Sequence, residues 1–204
     1  RCGMVDRRAS GRMSRARGMA LEERLDEYHG ELLLKGLANI RRVSTPVKVL
    51  GPVKADRRGR WVFRGAFDGP QGVDFMGYRM RNPGGLRTMA VPMAIEAKTH
   101  GGPGSWDSGI EPDGTCLGNG ALGLAQWREL CDYQRDAGAR AALVILEAWG
   151  EVWEICPVDL VSHVGRVRRR TVRPDEIKHI ARRLSGVRWL ELGADDGPVA
   201  GADE

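Results

Sequence analysis

Residues 91–99, VPMAIEAKT, constrain the fold of this chain more than any other stretch. Ala94, Ile95 and Ala97 are small or apolar, as in a strand inside a packed sheet, and Glu96 and Lys98 are the only charges among them. Side chains at i and i+2 of a strand point to one face, so the two charges emerge side by side. Residues 72–77, GVDFMG, do the same with one charge, since Asp74 lies between Val73 and Phe75. Charges set into apolar strands are costly to desolvate without a partner. The spacing leaves two readings open. One is a salt bridge at a strand end. The other is a metal-dependent phosphodiesterase centre, in which Asp74 and Glu96 hold Mg²⁺, the backbone carbonyl of Ala97 adds an oxygen, and Lys98 orients or activates a water.

The 204 residues are enough for one domain with a sizeable core. No apolar run is long enough to span a bilayer, and the Arg-rich start lacks the apolar centre of a signal peptide. Cys2, Cys116, Cys131 and Cys156 form no CxxC pair, which argues against a zinc site and for free thiols in a reducing cytoplasm. The net charge of +5 is unevenly spread. Arg7, Arg8, Arg12, Arg15 and Arg17 cluster at the start, and Arg166, Arg168, Arg169, Arg170 and Arg173 near the end. No basic residue follows Arg188, whereas Glu191, Asp195, Asp196, Asp203 and Glu204 are acidic. Arginine patches of this kind suit a polyanion, and arginine matches phosphate geometry.

Along the chain, residues 1–17 lack an apolar period and are expected as a mobile basic arm. Residues 19–35 place Leu21, Leu25, Tyr28, Leu32 and Leu33 at helical spacing, with Gly36 ending the helix. Residues 37–40 and 47–53 read as extended, with Lys48 among the positive charges around them. Residues 56–60, DRRGR, carry Arg57, Arg58 and Arg60 on a hairpin tip, and residues 60–67 return from it. Strands over 73–80 and 88–99 are separated by the NPGG turn. A glycine-rich connection over 100–120 follows, whose Asp107, Glu111 and Asp113 read as solvated loop acids. Residues 121–137 form a second amphipathic helix. Residues 141–147, AALVILE, are nearly continuous in apolar side chains, as in a strand buried on both faces, and 151–155 is its partner. Helices are expected over 157–164 and 173–185, a last edge strand over 187–192, and an acidic disordered tail over 193–204.

This order of helix, strands carrying D and ExK, helix and strand resembles the PD-(D/E)XK nuclease superfamily. At residue level it is similar to the RecU-type Holliday junction resolvases of bacteria and phages. GMALEERLDEYH, STPVKVL, GAF, VDFMGY, IEAKT, the LAQW helix and AALVILEAWGEVWEI occur in the family's order, over roughly residues 18–164. The resemblance implies an α/β fold, a restriction-endonuclease-like mixed β-sheet flanked by helices with a projecting β-hairpin stalk. The nuclease domain would be 18–192 and the stalk 53–64. It implies Asp74 and Glu96 as metal-binding acids, Lys98 as the motif lysine, Glu22 as an additional carboxylate from the first helix, and Gln126 as the polar residue of the second. Mg²⁺, replaceable by Mn²⁺, would be the cofactor. A cytoplasmic homodimer would nick opposing strands of a four-way DNA junction, with Lys48, Arg15, Arg17, Arg57, Arg58 and Arg60 against the DNA. Two other readings stay open: a nuclease of the same fold with another DNA substrate, and a non-cutting junction-binding recombination protein.

Overall fold

The computed structural model describes residues 7–43, 47–49, 54–55, 61–62, 65–67, 72–81 and 89–190. Helix α1 (Arg7–Leu34) opens the chain. The amphipathic helix expected from residue 19 is present, but it begins at Arg7, so residues 7–17 are helical and not an irregular arm. Arginine, alanine and methionine are good helix formers, and lengthening a formed helix fixes only one residue per added bond. Leu21, Leu25, Tyr28 and Leu32 make its buried stripe, while Leu33, expected on that stripe, is 46% exposed.

In chain order the strands are β1 (Ala38–Arg42), β2 (Val47–Val49), β3 (Lys54–Ala55), β4 (Trp61–Val62), β5 (Gly65–Phe67), β6 (Phe75–Arg81), β7 (Met89–His100), β8 (Trp106–Asp107), β9 (Ala142–Ala148), β10 (Glu151–Ile155), β11 (Thr171–Val172) and β12 (Ala181–Leu184). Helices α2 (Leu124–Ala137) and α3 (Pro157–Val167) complete the regular structure, with short 3₁₀ turns at Ala139–Ala141 and Ile177–His179. Six strands form one mixed sheet in the order β1-β6-β7-β9-β10-β12. Every pairing in it is antiparallel except β7 with β9, where Glu96 pairs with Val144 and Lys98 with Leu146. A parallel pair needs a crossover, and α2 supplies it. The protein is thus mixed α/β, a six-stranded sheet flanked by helices.

Alternation along the central strands explains the two-sided core. Met93 and Ile95 of β7, with Leu143 and Ile145 of β9, pack with the α1 stripe. Ala94, Val144 and Leu146 pack on the other face with Trp127 and Leu130 of α2 and Leu160 and Val164 of α3. The apolar run in β9 is buried on both faces as its composition requires. Burial of six or more large apolar side chains per face is the main stabilising term of such a sheet, at ~1.5–3 kcal/mol each.

The residues expected to form the stalk contain the ladder of β3 with β4, and β2 pairs with β5 on either side of it in the chain. Arg57, Arg58 and Arg60 lie outside the described residues, as does the acidic tail. The glycine-rich connection is not irregular throughout: β8 pairs with β11, Ile110 bridges Cys116, and Trp106, Ile110 and Leu122 are buried. Residues 173–185 are not a helix. They form a 3₁₀ turn and then β12, which extends the sheet along β10. Residues 187–190 are not a strand either; Trp189 turns in against Tyr28 and His29 of α1. Among the described residues no helix is long and apolar enough to cross a membrane.

Candidate active site

Asp74 sits at a bend just before β6. The bend breaks the strand alternation, so that Val73 enters the α2 side of the core and Phe75 the α1 side. The β6–β7 ladder ends at Phe75 opposite Ile95, and Asp74 takes over one step further along. Its Oδ2 accepts a hydrogen bond from the Ala97 N–H at 2.9 Å, and its own N–H donates to Glu96 Oε2 at 3.2 Å. Within a strand residue the N–H and C=O point to the same edge. The Ala97 carbonyl therefore points to the edge that Asp74 occupies.

Glu96 lies on the same side of β7 as Ala94, beneath α2, and is 0% exposed. Its Oε1 is ion-paired with Lys98 Nζ, as the i, i+2 spacing requires. Lys98 also donates to Gln126 Oε1 at 3.3 Å, and that oxygen accepts from the Gly123 N–H at 2.9 Å. Gln126 thus closes the first turn of α2 and receives the lysine with the same atom, joining helix start to strand face. Burial pushes the Glu96 carboxyl up to about 8; the nearby Asp74 charge adds to the rise and Lys98 opposes it.

Four of the five residues expected to do chemistry are therefore brought together. The fifth, Glu22, is ion-paired with Arg42 of β1. Among the described residues no group of three or more His, Cys, Asp and Glu side chains has the geometry of a metal site. The donors present suit a hard cation nevertheless. Two carboxylates and a backbone carbonyl are all oxygen, Asp74 Oδ1 has no hydrogen-bond partner among the described residues, and the buried Glu96 carboxyl calls for positive charge. Mg²⁺ takes such a small protein set because it keeps several of its waters. Mn²⁺ accepts the same ligands.

One residue escaped the sequence reading. Glu129, one turn after Gln126 on α2, accepts the Val73 N–H on its Oε2 at 2.9 Å. It ties the chain immediately before Asp74 to the helix that carries Gln126. The signal available was its i, i+3 relation to Gln126, which puts both on one helix face. Gly72 makes room for it: a Cβ there would lie 2.4 Å from Glu129 Oε2.

Two of the three loop acids, Asp107 and Glu111, are not simply solvated, whereas Asp113 is exposed as expected. Arg170 binds Asp107 at 2.9 Å, Glu111 at 3.5 Å and Asn119 at 2.7 Å. Arg169 is ion-paired with Glu176. Two of the five arginines of the second cluster thus tether the glycine-rich connection and the chain after α3. At the other end, Arg15 and Arg17 are exposed on α1. Lys48 lies in β2. No protein-family model matches this chain, and no curated protein matches it.

Proposed function

We propose that the protein is a Mg²⁺-dependent endodeoxyribonuclease with a restriction-endonuclease-like fold, acting on branched DNA as a junction resolvase. The observation that carries this reading is the convergence of Asp74, Glu96, Lys98 and Gln126 where β6 leaves β7. A surface salt bridge would need only Glu96 and Lys98. The same two residues here also engage the backbone of a second strand and the start of a helix.

A phosphodiester repels nucleophiles by its own charge. Mg²⁺, held by Asp74, Glu96 and the Ala97 carbonyl, would neutralise that charge and lower the pKa of a water. Asp74 is held in place by the Ala97 N–H, and Glu96 by the Asp74 N–H, so the two carboxylates fix each other's positions. With Glu96 engaged by the cation, Lys98 would keep its hydrogen bond to Gln126 and be less tied to Glu96. The ammonium can then orient an attacking water or stand against charge developing on the phosphate. Positive charge along α1, and the arginines that the sequence places between the paired strands β3 and β4, favour the backbone of DNA, a contact that carries little sequence information. Two copies would present two such centres to opposing strands.

The test compares a four-way junction with linear duplex of the same sequence, in Mg²⁺ and in EDTA. Junction cutting in Mg²⁺ alone is expected. Equal cutting of both DNAs would remove the resolvase reading and leave the nuclease one; no cutting of any DNA by a folded protein would remove both.

A further inference from the structure

The face of β7 that carries Glu96 and Lys98 continues to His100, roughly 7 Å beyond Lys98 along the strand. There it meets a cleft of about 690 Å³ at the carboxyl ends of the parallel strands β7 and β9. Arg17, Thr99, His100, Gly101, Trp149 and Pro174 are among its walls. Volumes of this size hold small ligands.

Three features set this cleft apart from an ordinary surface groove. The first is Arg17, which makes no hydrogen bond or ion pair with another described residue. Its guanidinium rests on the Gly101 backbone so closely that a Cβ at Gly101 would lie 2.2 Å from Cζ. The neighbouring Arg24, by contrast, is occupied by Glu147 at 2.8 Å. The second is a pair of rings: His100 and Trp149 meet edge to face with centroids 5.7 Å apart. Both ring nitrogens, His100 Nε2 and Trp149 Nε1, lie 3.0 Å from one acceptor, the Gly104 carbonyl, so His100 carries its proton on Nε2. The third is the backbone of Trp149. It adopts φ 53° in the two-residue turn between β9 and β10, with Gly150 at φ 83°. Such turns favour Asn or Gly at the first position, and a bulky residue there costs about 1–3 kcal/mol. An indole held at that cost, half-buried with part of its surface open, calls for an explanation beyond the turn itself.

We propose that this cleft binds an unpaired nucleotide of the DNA strand next to the scissile phosphate. Arg17 takes its phosphate and the Trp149 indole, steadied by His100, stacks on its base. The inference rests on reading Asp74, Glu96 and Lys98 as a nuclease centre, because that reading brings a DNA strand along β7. A charged planar donor beside an aromatic face is the combination that single-stranded nucleic acid requires, and it ignores base identity. Stacking is interrupted where the strands of a junction cross over, so a base there is extruded at lower cost than from within a linear duplex.

The experiment uses the full chain carrying Asp74→Asn, so that DNA is bound without being cut. Fluorescence anisotropy reads affinity for a labelled single-stranded oligothymidylate and for a blunt duplex. Trp149→Asn, whose side chain tolerates the left-handed backbone, is expected to weaken single-strand binding at least about fivefold, the factor that ~1 kcal/mol of base stacking represents. Arg17→Ala is expected to weaken it similarly, Gly101→Ala to reproduce that loss by displacing the guanidinium, and Trp149→Phe to restore most of the stacking. Melting temperatures establish that each variant is folded. Undiminished single-strand binding in Trp149→Asn and Arg17→Ala overturns the proposal, and so does an equal loss for the duplex, which would make the face a general phosphate contact. If the wild-type chain cuts junctions while these variants bind normally, the cleft assignment alone fails. If it cuts nothing while they lose single-strand binding, the nuclease reading alone fails and the cleft stands.

Discussion

The contact between Gly72, Val73 and Glu129 gives a prediction whose sign reverses with background. The Val73 N–H donates to Glu129 Oε2 at 2.9 Å, and the Val73 side chain is 2% exposed. Glu129→Ala removes a charged acceptor and leaves that donor without it, at about 1.5–3 kcal/mol. Gly72→Ala places a Cβ 2.4 Å from the same oxygen. The carboxylate can swing away with little strain, but the hydrogen bond goes with it. Against that loss, alanine restricts the unfolded chain, which stabilises by ~0.4–1 kcal/mol where the backbone permits it. Gly72 does not have a left-handed φ, so the backbone permits it here. Gly72→Ala should therefore destabilise the wild-type protein by ~1–2 kcal/mol, lowering its melting temperature by ~2–8 °C for a chain of this size. In the Glu129→Ala background the oxygen is absent, and Gly72→Ala should then stabilise by ~0.4–1 kcal/mol. Urea unfolding followed by circular dichroism on the four proteins measures the cycle. Additive effects, or a Gly72→Ala protein as stable as wild type, would refute the assigned role of Glu129. Because Val73 leads into Asp74, both single variants should also lose more cleavage activity than their stability loss explains.

Three further outcomes follow from the site and the core. Asp74→Asn and Lys98→Ala should each abolish junction cleavage, while Mg²⁺ raises the melting temperature of wild type and not of Asp74→Asn; a stabilisation that survives in the variant places the cation elsewhere. Burial pushes Glu96 up to about 8, so the folded, metal-free protein holds a proton that the unfolded chain has released. Its contribution is full below the unfolded value and is lost as pH rises to about 8, and Glu96→Gln should flatten the fall in stability between pH 6.5 and 8. Burial lowers His29 to about 4, where its Nε2 accepts from Trp189 Nε1 at 3.1 Å. There the unfolded state binds the extra proton, and stability falls as pH drops from about 6.5 towards 4, by at most ~3 kcal/mol. His29→Gln should remove that component, which appears as a pH-dependent difference from wild type in unfolding free energy.

The elements most legible in the sequence were those set by local periodicity. The β7 and β9 strands, the core stripe of α1 and the body of α2 each follow from apolar spacing that any packed environment would reward, although α2 starts at Leu124 after its Gly123 cap and not at residue 121. Periodicity points the wrong way over residues 173–185, where Ile177, Ile180 and Leu184 stand at helical intervals. The segment is instead recruited by the open edge of β10, with Arg182 on Glu154 at 2.6 Å and Arg183 on Glu151 at 2.9 Å. Strand pairing is satisfied by a distant partner, so a segment's own residues do not reveal it. The helical state of residues 7–17 was hidden for a different reason: the stretch shows no apolar stripe, and residues 13–17 are exposed.

At the site the division is equally physical. The adjacency of Glu96 and Lys98 was determined by sequence, because two residues separated by one in a strand must share a face. Their burial to 0% and 19% side-chain exposure, the approach of Asp74 from the end of another ladder, the meeting of Lys98 with Gln126 and the anchoring of Val73 by Glu129 were decided only by tertiary structure. So was the cleft where Arg17, His100 and Trp149 converge. Each of these contacts joins residues 22 or more positions apart, and distances of that kind are set by how helices close over a sheet.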